Sequence, residues 1–180
     1  MQSYDYAHRQ GVDEISWPRF FQLYQRLVEG LAPHEIDLVI GIARAGLFPA
    51  TAVACALRLE LFPIRLTRRV NDRVTYAHPV WLVDVPPQVQ GKKVAVVDEI
   101  ADSGETLALA AERVRAAGAA QVVSACLVSH SWANPAPDLT ALVSDALLIF
   151  PWDRQVYIGG QWQLHPELVQ AIRLQKDQQP

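Results

Sequence analysis

The chain predicts an α/β fold, a mainly parallel twisted sheet flanked by helices, and three observations lead there. Its apolar runs are short and do not alternate with polar residues, as in Val94 to Val97 and Val122 to Val128, which is how strands covered on both faces read. Those runs alternate with stretches of helical periodicity, the order that right-handed βαβ crossovers require. The stretch from Lys93 to Leu107 passes from such a strand into two acids and then into a small-residue loop that opens a helix, so the carboxyl edge of the sheet carries chemistry.

The elements follow in order. Residues 17–31 place Phe20, Leu23, Tyr24, Leu27, Val28 and Leu31 at i, i+3, i+4, i+7 spacing, an amphipathic helix that Ser16 can cap and whose first turn tolerates Pro18. A strand over 37–42 leads through the Arg44 loop into a helix over 48–58, and Leu61 to Thr67 forms the next strand, completing a βαβ unit. Residues 68–92 open with Arg68, Arg69, Asn71, Asp72 and Arg73, pass through Tyr76 into the extended run Val80-Trp81-Leu82-Val83, and close on Pro86-Pro87 and Gly91. An ordinary surface hairpin is one reading of this segment.

A helix over 105–117 ends at Gly118, where a C′ glycine is expected. Val122 to Val128 form a further buried strand, and Ala141 to Phe150 supply another apolar stretch. Residues 164–175 read as a terminal helix with Leu168, Ile172 and Leu174 on its apolar side, and Gln175 to Pro180 as a frayed tail.

At 180 residues and 51% hydrophobic composition the chain suffices for one domain, residues 1–180, with a substantial core. A formal net charge of −3, with no basic run longer than Arg68-Arg69 or Lys92-Lys93, argues against a general nucleic-acid binder and for a small-molecule partner. Cys55 and Cys126 lack zinc or redox spacing and read as buried thiols of a reducing compartment. The N-terminal MQSYDYAHRQ has no apolar core of a signal peptide, and Ala45 to Leu57 is too short for a bilayer, so neither secretion nor a membrane partner is expected and the location is cytoplasmic. No GxxxxGK[ST] is present and no GxGxxG follows a strand, which sets aside the nucleotide-hydrolase and dinucleotide folds.

The chemistry concentrates at residues 98–106. Asp98 and Glu99 can accept hydrogen bonds from vicinal hydroxyls or from waters on a metal. Ser103, Gly104 and Thr106 supply two hydroxyls and a flexible backbone position just before a helix, whose first N–H groups favour a phosphate. The same loop would also serve ordinary N-capping, but like charges side by side at a strand end cost stability unless something binds them.

The segment VAVVDEIADSGETL resembles the phosphoribosyl diphosphate (PRPP) signature of the type I phosphoribosyltransferases: an apolar strand, two acids, three variable residues, then Ser or Thr, Gly, any residue and Thr. A second segment, Asp37 to Ala50, is similar to the first strand and pyrophosphate loop of the same family, especially the 6-oxopurine branch, with Ala45 where a glycine is common. Phe150-Pro151-Trp152-Asp153 resembles the segment after the base-binding strand of that branch, and Ile15-Ser16-Trp17 the opening of its small prokaryotic members. The resemblance extends over most of residues 13–157.

It implies a type I phosphoribosyltransferase fold with a flap or hood formed by residues 68–92, and a transfer of the 5-phosphoribosyl group from PRPP to a nucleobase, a 6-oxopurine, with release of pyrophosphate. Asp98 and Glu99 would hold the ribose hydroxyls. Asp102, Ser103, Gly104, Glu105 and Thr106 would bind the 5′-phosphate, and Arg44, Ala45, Arg68 and Arg69 would face the pyrophosphate. Asp102 would also act as general acid/base at purine N7. Mg²⁺ would travel with PRPP and pyrophosphate, with no direct protein ligand, and a homodimer is the assembly that relatives suggest. In relatives the pyrophosphate-loop peptide, here Arg44-Ala45, can be cis.

Two positions depart from the branch. Ser129 stands where a lysine reads the 6-oxo group, and Leu147 where an aromatic residue stacks on the base. His130 or Trp132 could substitute, which with Trp152 and Asp153 completes the expected base-binding set. The same departures keep open a second reading, a PRPP- or nucleotide-sensing regulator on this fold that does not catalyse transfer.

Overall fold

The structure, a computed structural model, describes residues 9–70 and 73–177. Along the chain these form β1 (Val12–Glu14), α1 (Trp17–Leu31), β2 (Leu38–Ile42), α2 (Leu47–Leu57), β3 (Glu60–Thr67), β4 (Arg69–Val70), β5 (Arg73–Val74), β6 (Val80–Val83), β7 (Lys93–Ala101), α3 (Glu105–Ala116), β8 (Gln121–Ser129), β9 (Leu139–Val143), β10 (Leu147–Ile149), β11 (Gln155–Ile158), β12 (Gln161–Leu164) and α4 (Pro166–Asp177). They divide into two compact units, one of residues 22–144 and one of the residues up to 21 together with those from 145 on.

The larger unit is built on a six-stranded sheet in the order β6-β3-β2-β7-β8-β9. The five strands from β3 to β9 run parallel and β6 returns antiparallel along the β3 edge. On one face, Leu38, Ile40, Val94 and Val96 join Leu107, Ala110 and Val114 of α3 in the main core. Gly41 points the other way, under α2, where an added Cβ would come within 2.8 Å of Ala50 Cβ. All five residues of β2 are buried, which is why that strand reads as an unbroken apolar run. Burial of each such side chain stabilises the fold by roughly 1.5–3 kcal/mol.

Strand β7 reaches further than its apolar run suggests. It pairs with β2 only as far as Gly41↔Val97, but with β8 as far as Ala101↔Ser129. Asp98 and Glu99 are therefore strand residues, held by the β8 ladder alone, and the loop starts at Asp102.

In the smaller unit β1 pairs parallel with β10, and β11 with β12 form an antiparallel hairpin turned by Gly159 and Gly160, both at positive φ as a two-residue turn requires. Ile15, Leu147, Leu148, Ile149, Phe150 and Ala171 are its buried apolar residues. Trp152 stacks on Phe150 at 4.9 Å and meets Phe20 edge-on at 5.5 Å. The N-terminus of α1 is capped as expected, with Arg19 N–H donating to Ser16 Oγ at 3.3 Å.

Three expectations are corrected. The apolar stretch 141–150 is two strands, β9 in the large sheet and β10 against β1, because Ser144, Asp145 and Ala146 interrupt it. Cys55 is exposed on α2, while Cys126 is buried in β8. Gln175 to Asp177 continue α4; the rest of the expected tail, like Asn71 and Asp72 of the residue 68–92 segment, lies outside the described residues. Among the described residues no helix is long and apolar enough to cross a membrane.

Candidate active site

Asp98 lies buried at the carboxyl half of β7, and its Oδ1 accepts the backbone N–H of Glu99 at 2.9 Å. Burial, then the neighbouring Glu99 carboxyl, pushes the Asp98 carboxyl well above the usual carboxylate range. The residue that meets it from the Arg44 loop is Gly46, the N-cap of α2: a Cβ there would sit 2.5 Å from both Asp98 Oδ1 and Ile42 O. Asp98 thus touches the end of the loop that carries Arg44, and Glu99, half-buried, follows it on the strand.

The loop after β7 is fixed by its own backbone. Gly104 has φ +85°, and a Cβ at this position would collide with Pro135 O. Ser103 O accepts the Asn134 N–H at 2.9 Å, and Asn134-Pro135 is a cis peptide. Ser103 Oγ accepts the Glu105 N–H at 3.3 Å, a side-chain hydrogen bond to the start of α3, whose N-cap position is Gly104. In the first turn of α3 Leu107 is buried, while Glu105 and Thr106 are half-buried. Such a turn presents backbone N–H groups to an anion.

In the Arg44 loop the cis bond is Ala43-Arg44, one residue before the peptide expected. Arg44 is exposed, Ala45 half-buried, and their carbonyls accept the first N–H groups of α2, from Leu47 at 3.2 Å and Phe48 at 3.0 Å. Arg68 closes the base of the β4–β5 hairpin: its carbonyl accepts from Thr75 and Tyr76 N–H, and its Nε donates to Tyr76 O at 3.4 Å. The Arg69 N–H donates to Thr67 Oγ1. Beyond the hairpin His78 Nδ1 lies 2.8 Å from Glu105 Oε1, linking this segment to the first residue of α3.

The residues expected to read the base divide between the units. Ser129 and His130 sit at the end of β8 in the larger one; the Ser129 hydroxyl donates to His130 O at 3.1 Å, and the imidazole is fully buried. Its Nδ1 lies 2.5 Å from Ser144 O and its Nε2 3.9 Å from Asp102 Oδ1. Trp132 stacks on that ring at 4.5 Å, and its Nε1 donates to Asp102 Oδ1 at 3.4 Å. Leu147, Trp152 and Asp153 belong to the smaller unit, where Leu147 is buried in β10 and Asp153 is exposed. Gly46 and Pro135 carry the local geometry but were not singled out in the sequence. The alanine-glycine pair after Arg44 was a signal for the first; a carbonyl 31 positions from Gly104 leaves none for the second.

The phosphoribosyl transferase domain family matches residues 13–156. Over 117 residues the chain is 26% identical to an adenine phosphoribosyltransferase of Rhodospirillum centenum, covering 61% of this chain and 68% of that one. A purine phosphoribosyltransferase from Pyrococcus horikoshii superposes with a TM-score of 0.72 at 27% identity, covering 83% of this chain and 99% of its own. A hypothetical protein from Neisseria gonorrhoeae with bound ppGpp shares the fold at a TM-score of 0.69 and 19% identity, over 94% of this chain and 98% of its own. A family match over four fifths of the length makes this chain a member of the phosphoribosyl transferase domain family.

Proposed function

We propose that this chain transfers the 5-phosphoribosyl group of PRPP to a purine base, a 6-oxopurine, and releases pyrophosphate. The observation that carries the reading is the contact of Asp98 with Gly46, which brings the acid pair of β7 beside the Arg44 loop while the same strand runs on into the Asp102–Thr106 loop. One end of a ribose phosphate then meets donors at α3 and the other meets Arg44.

Breaking the C1–O bond to pyrophosphate builds positive charge on the ribose ring, so the task is positioning and charge placement. Glu99 and Asp98 accept from the ribose hydroxyls, Ser103, Thr106 and the first N–H groups of α3 donate to the 5′-phosphate, and Arg44 with Arg68 or Arg69 offsets charge on the leaving group. Asp102, half-exposed beside them, takes or returns the proton of the base. Oxygen donors such as Asp98 and Glu99 suit the waters of a Mg²⁺ ion carried by PRPP, and that ion would supply neutralisation of pyrophosphate charge.

Ser129, with its hydroxyl on a backbone carbonyl, and Leu147, buried in β10, favour one other reading, a sensor that binds PRPP or a nucleotide without transfer. The Neisseria protein of this fold carries ppGpp. Pyrophosphate release from PRPP and Mg²⁺ with a panel of free bases decides. Base-dependent release that an Asp98→Asn/Glu99→Gln double variant loses is expected. Tight PRPP binding without release for any base would establish the sensor instead, and no PRPP binding would remove both.

A further inference from the structure

We propose that His130 is a positioning residue for Asp102: the Ser144 carbonyl fixes its tautomer, its Nε2 faces the carboxylate, and it receives the proton that Asp102 takes from the base. This rests on the transferase reading above.

A carbonyl oxygen can only accept, so at 2.5 Å from Ser144 O the Nδ1 of His130 carries the proton. The neutral ring then holds a lone pair on Nε2, which faces Asp102 Oδ1 at 3.9 Å. Both partners are anchored by the sheet. Ser144 N–H donates to Ser129 O at 3.1 Å, and His130 N–H donates to Ala101 O, the carbonyl just before Asp102, at 3.1 Å. Trp132 adds a third restraint by stacking on the imidazole within 12° of parallel while its indole N–H reaches the same Asp102 oxygen.

With no exposed side-chain surface, His130 offers a base neither nitrogen directly. Asp102, with 54% of its side chain exposed, is the member of the pair open to a ligand, and the proton transfer requires its carboxyl to close the 3.9 Å gap to Nε2. The proton balance is simple. The base N–H bond breaks as an O–H bond forms on Asp102; that O–H then donates to Nε2, and on full transfer an imidazolium faces a carboxylate. The reverse sequence returns the proton to the base or, through Asp102, to water.

The test combines ¹⁵N spectra of histidine-labelled protein with kinetics. Wild type is expected to show His130 as the Nδ1–H tautomer, with an Nε2 resonance that moves in Asp102→Asn. His130→Asn, which keeps a donor for Ser144 O but loses Nε2, is expected to lower kcat about tenfold or more while the KM for PRPP stays within about twofold. An Nε2–H tautomer, an Nε2 resonance indifferent to Asp102→Asn, or unchanged kcat in His130→Asn overturns the proposal. If His130→Asn does not fold, the two spectra decide. Wild type that releases no pyrophosphate with any base overturns the transferase reading and the proton transfer with it, whereas wild-type release with unchanged His130→Asn turnover overturns only the role of His130.

Discussion

Asp98 and Gly46 are in direct contact, the carboxyl oxygen of one lying where any side chain on the other would have to begin. The strand that carries the acid pair and the helix that follows Arg44 are therefore spaced by a missing Cβ. Gly46→Ala has two fixed oxygens to displace, Asp98 Oδ1 and Ile42 O, and overpacking of this kind costs about 1–3 kcal/mol. Urea unfolding should show that loss together with weaker PRPP binding; an unchanged midpoint would mean the loop yields freely.

Asp98 also predicts a pH dependence. Burial and Glu99 raise its carboxyl in the folded state, so folding favours the protonated acid. That preference is complete below the unfolded carboxylate value and is lost as pH rises through the raised folded value. Asp98→Asn cannot ionise, so it should melt higher than wild type at pH 8 and level with it in acid. A gap in melting temperature that stays constant from pH 4 to 8 would contradict the assignment.

The two thiols should separate cleanly. Burial pushes the Cys126 thiol up to about 12, and its Sγ donates to Val128 O at 3.1 Å. At pH 8 only roughly one part in ten thousand would be thiolate. Cys55 is exposed. A disulfide reagent should titrate one thiol in the native protein and two in denaturant, and a Cys55→Ser variant should titrate none until unfolded.

Asp102→Asn keeps an oxygen that can accept from Trp132 but removes the proton acceptor. Turnover should fall by about a hundredfold or more with PRPP affinity nearly unchanged. Equal losses in both, measured by steady-state kinetics and PRPP titration, would make the residue a phosphate ligand only.

Much of this was legible because buried parallel strands advertise themselves: β2, β7 and β8 are near-continuous runs of Val, Ile, Ala and Leu, and the helix ends follow Ser16 and Gly118. The end of β7 was not, since Asp98 and Glu99 look like a strand terminus until the β8 ladder is seen to continue to Ala101↔Ser129. The β11–β12 hairpin was missed although Gly159-Gly160 between QVYI and QWQL is a turn signal; its exposed Tyr157 and Trp162 break the rule that strand aromatics are covered. For His130 the sequence offered two nitrogens and no way to choose, because the carbonyl that selects one belongs to Ser144, 14 residues on.

The segment between β3 and β6 leaves the sheet from one strand and returns on its hydrogen-bonded neighbour, with Thr67 opposite Val80 and Leu66 opposite Trp81. Beyond Trp81 the returning chain is held again, by Asp84 paired with Arg113 of α3 and by the Arg113 guanidinium 5.9 Å from the Trp81 ring centre. A backbone cut between Ala77 and His78 would thus sever the covalent chain but leave each new end stitched into the same sheet. The molecule can be opened on this side without being taken apart.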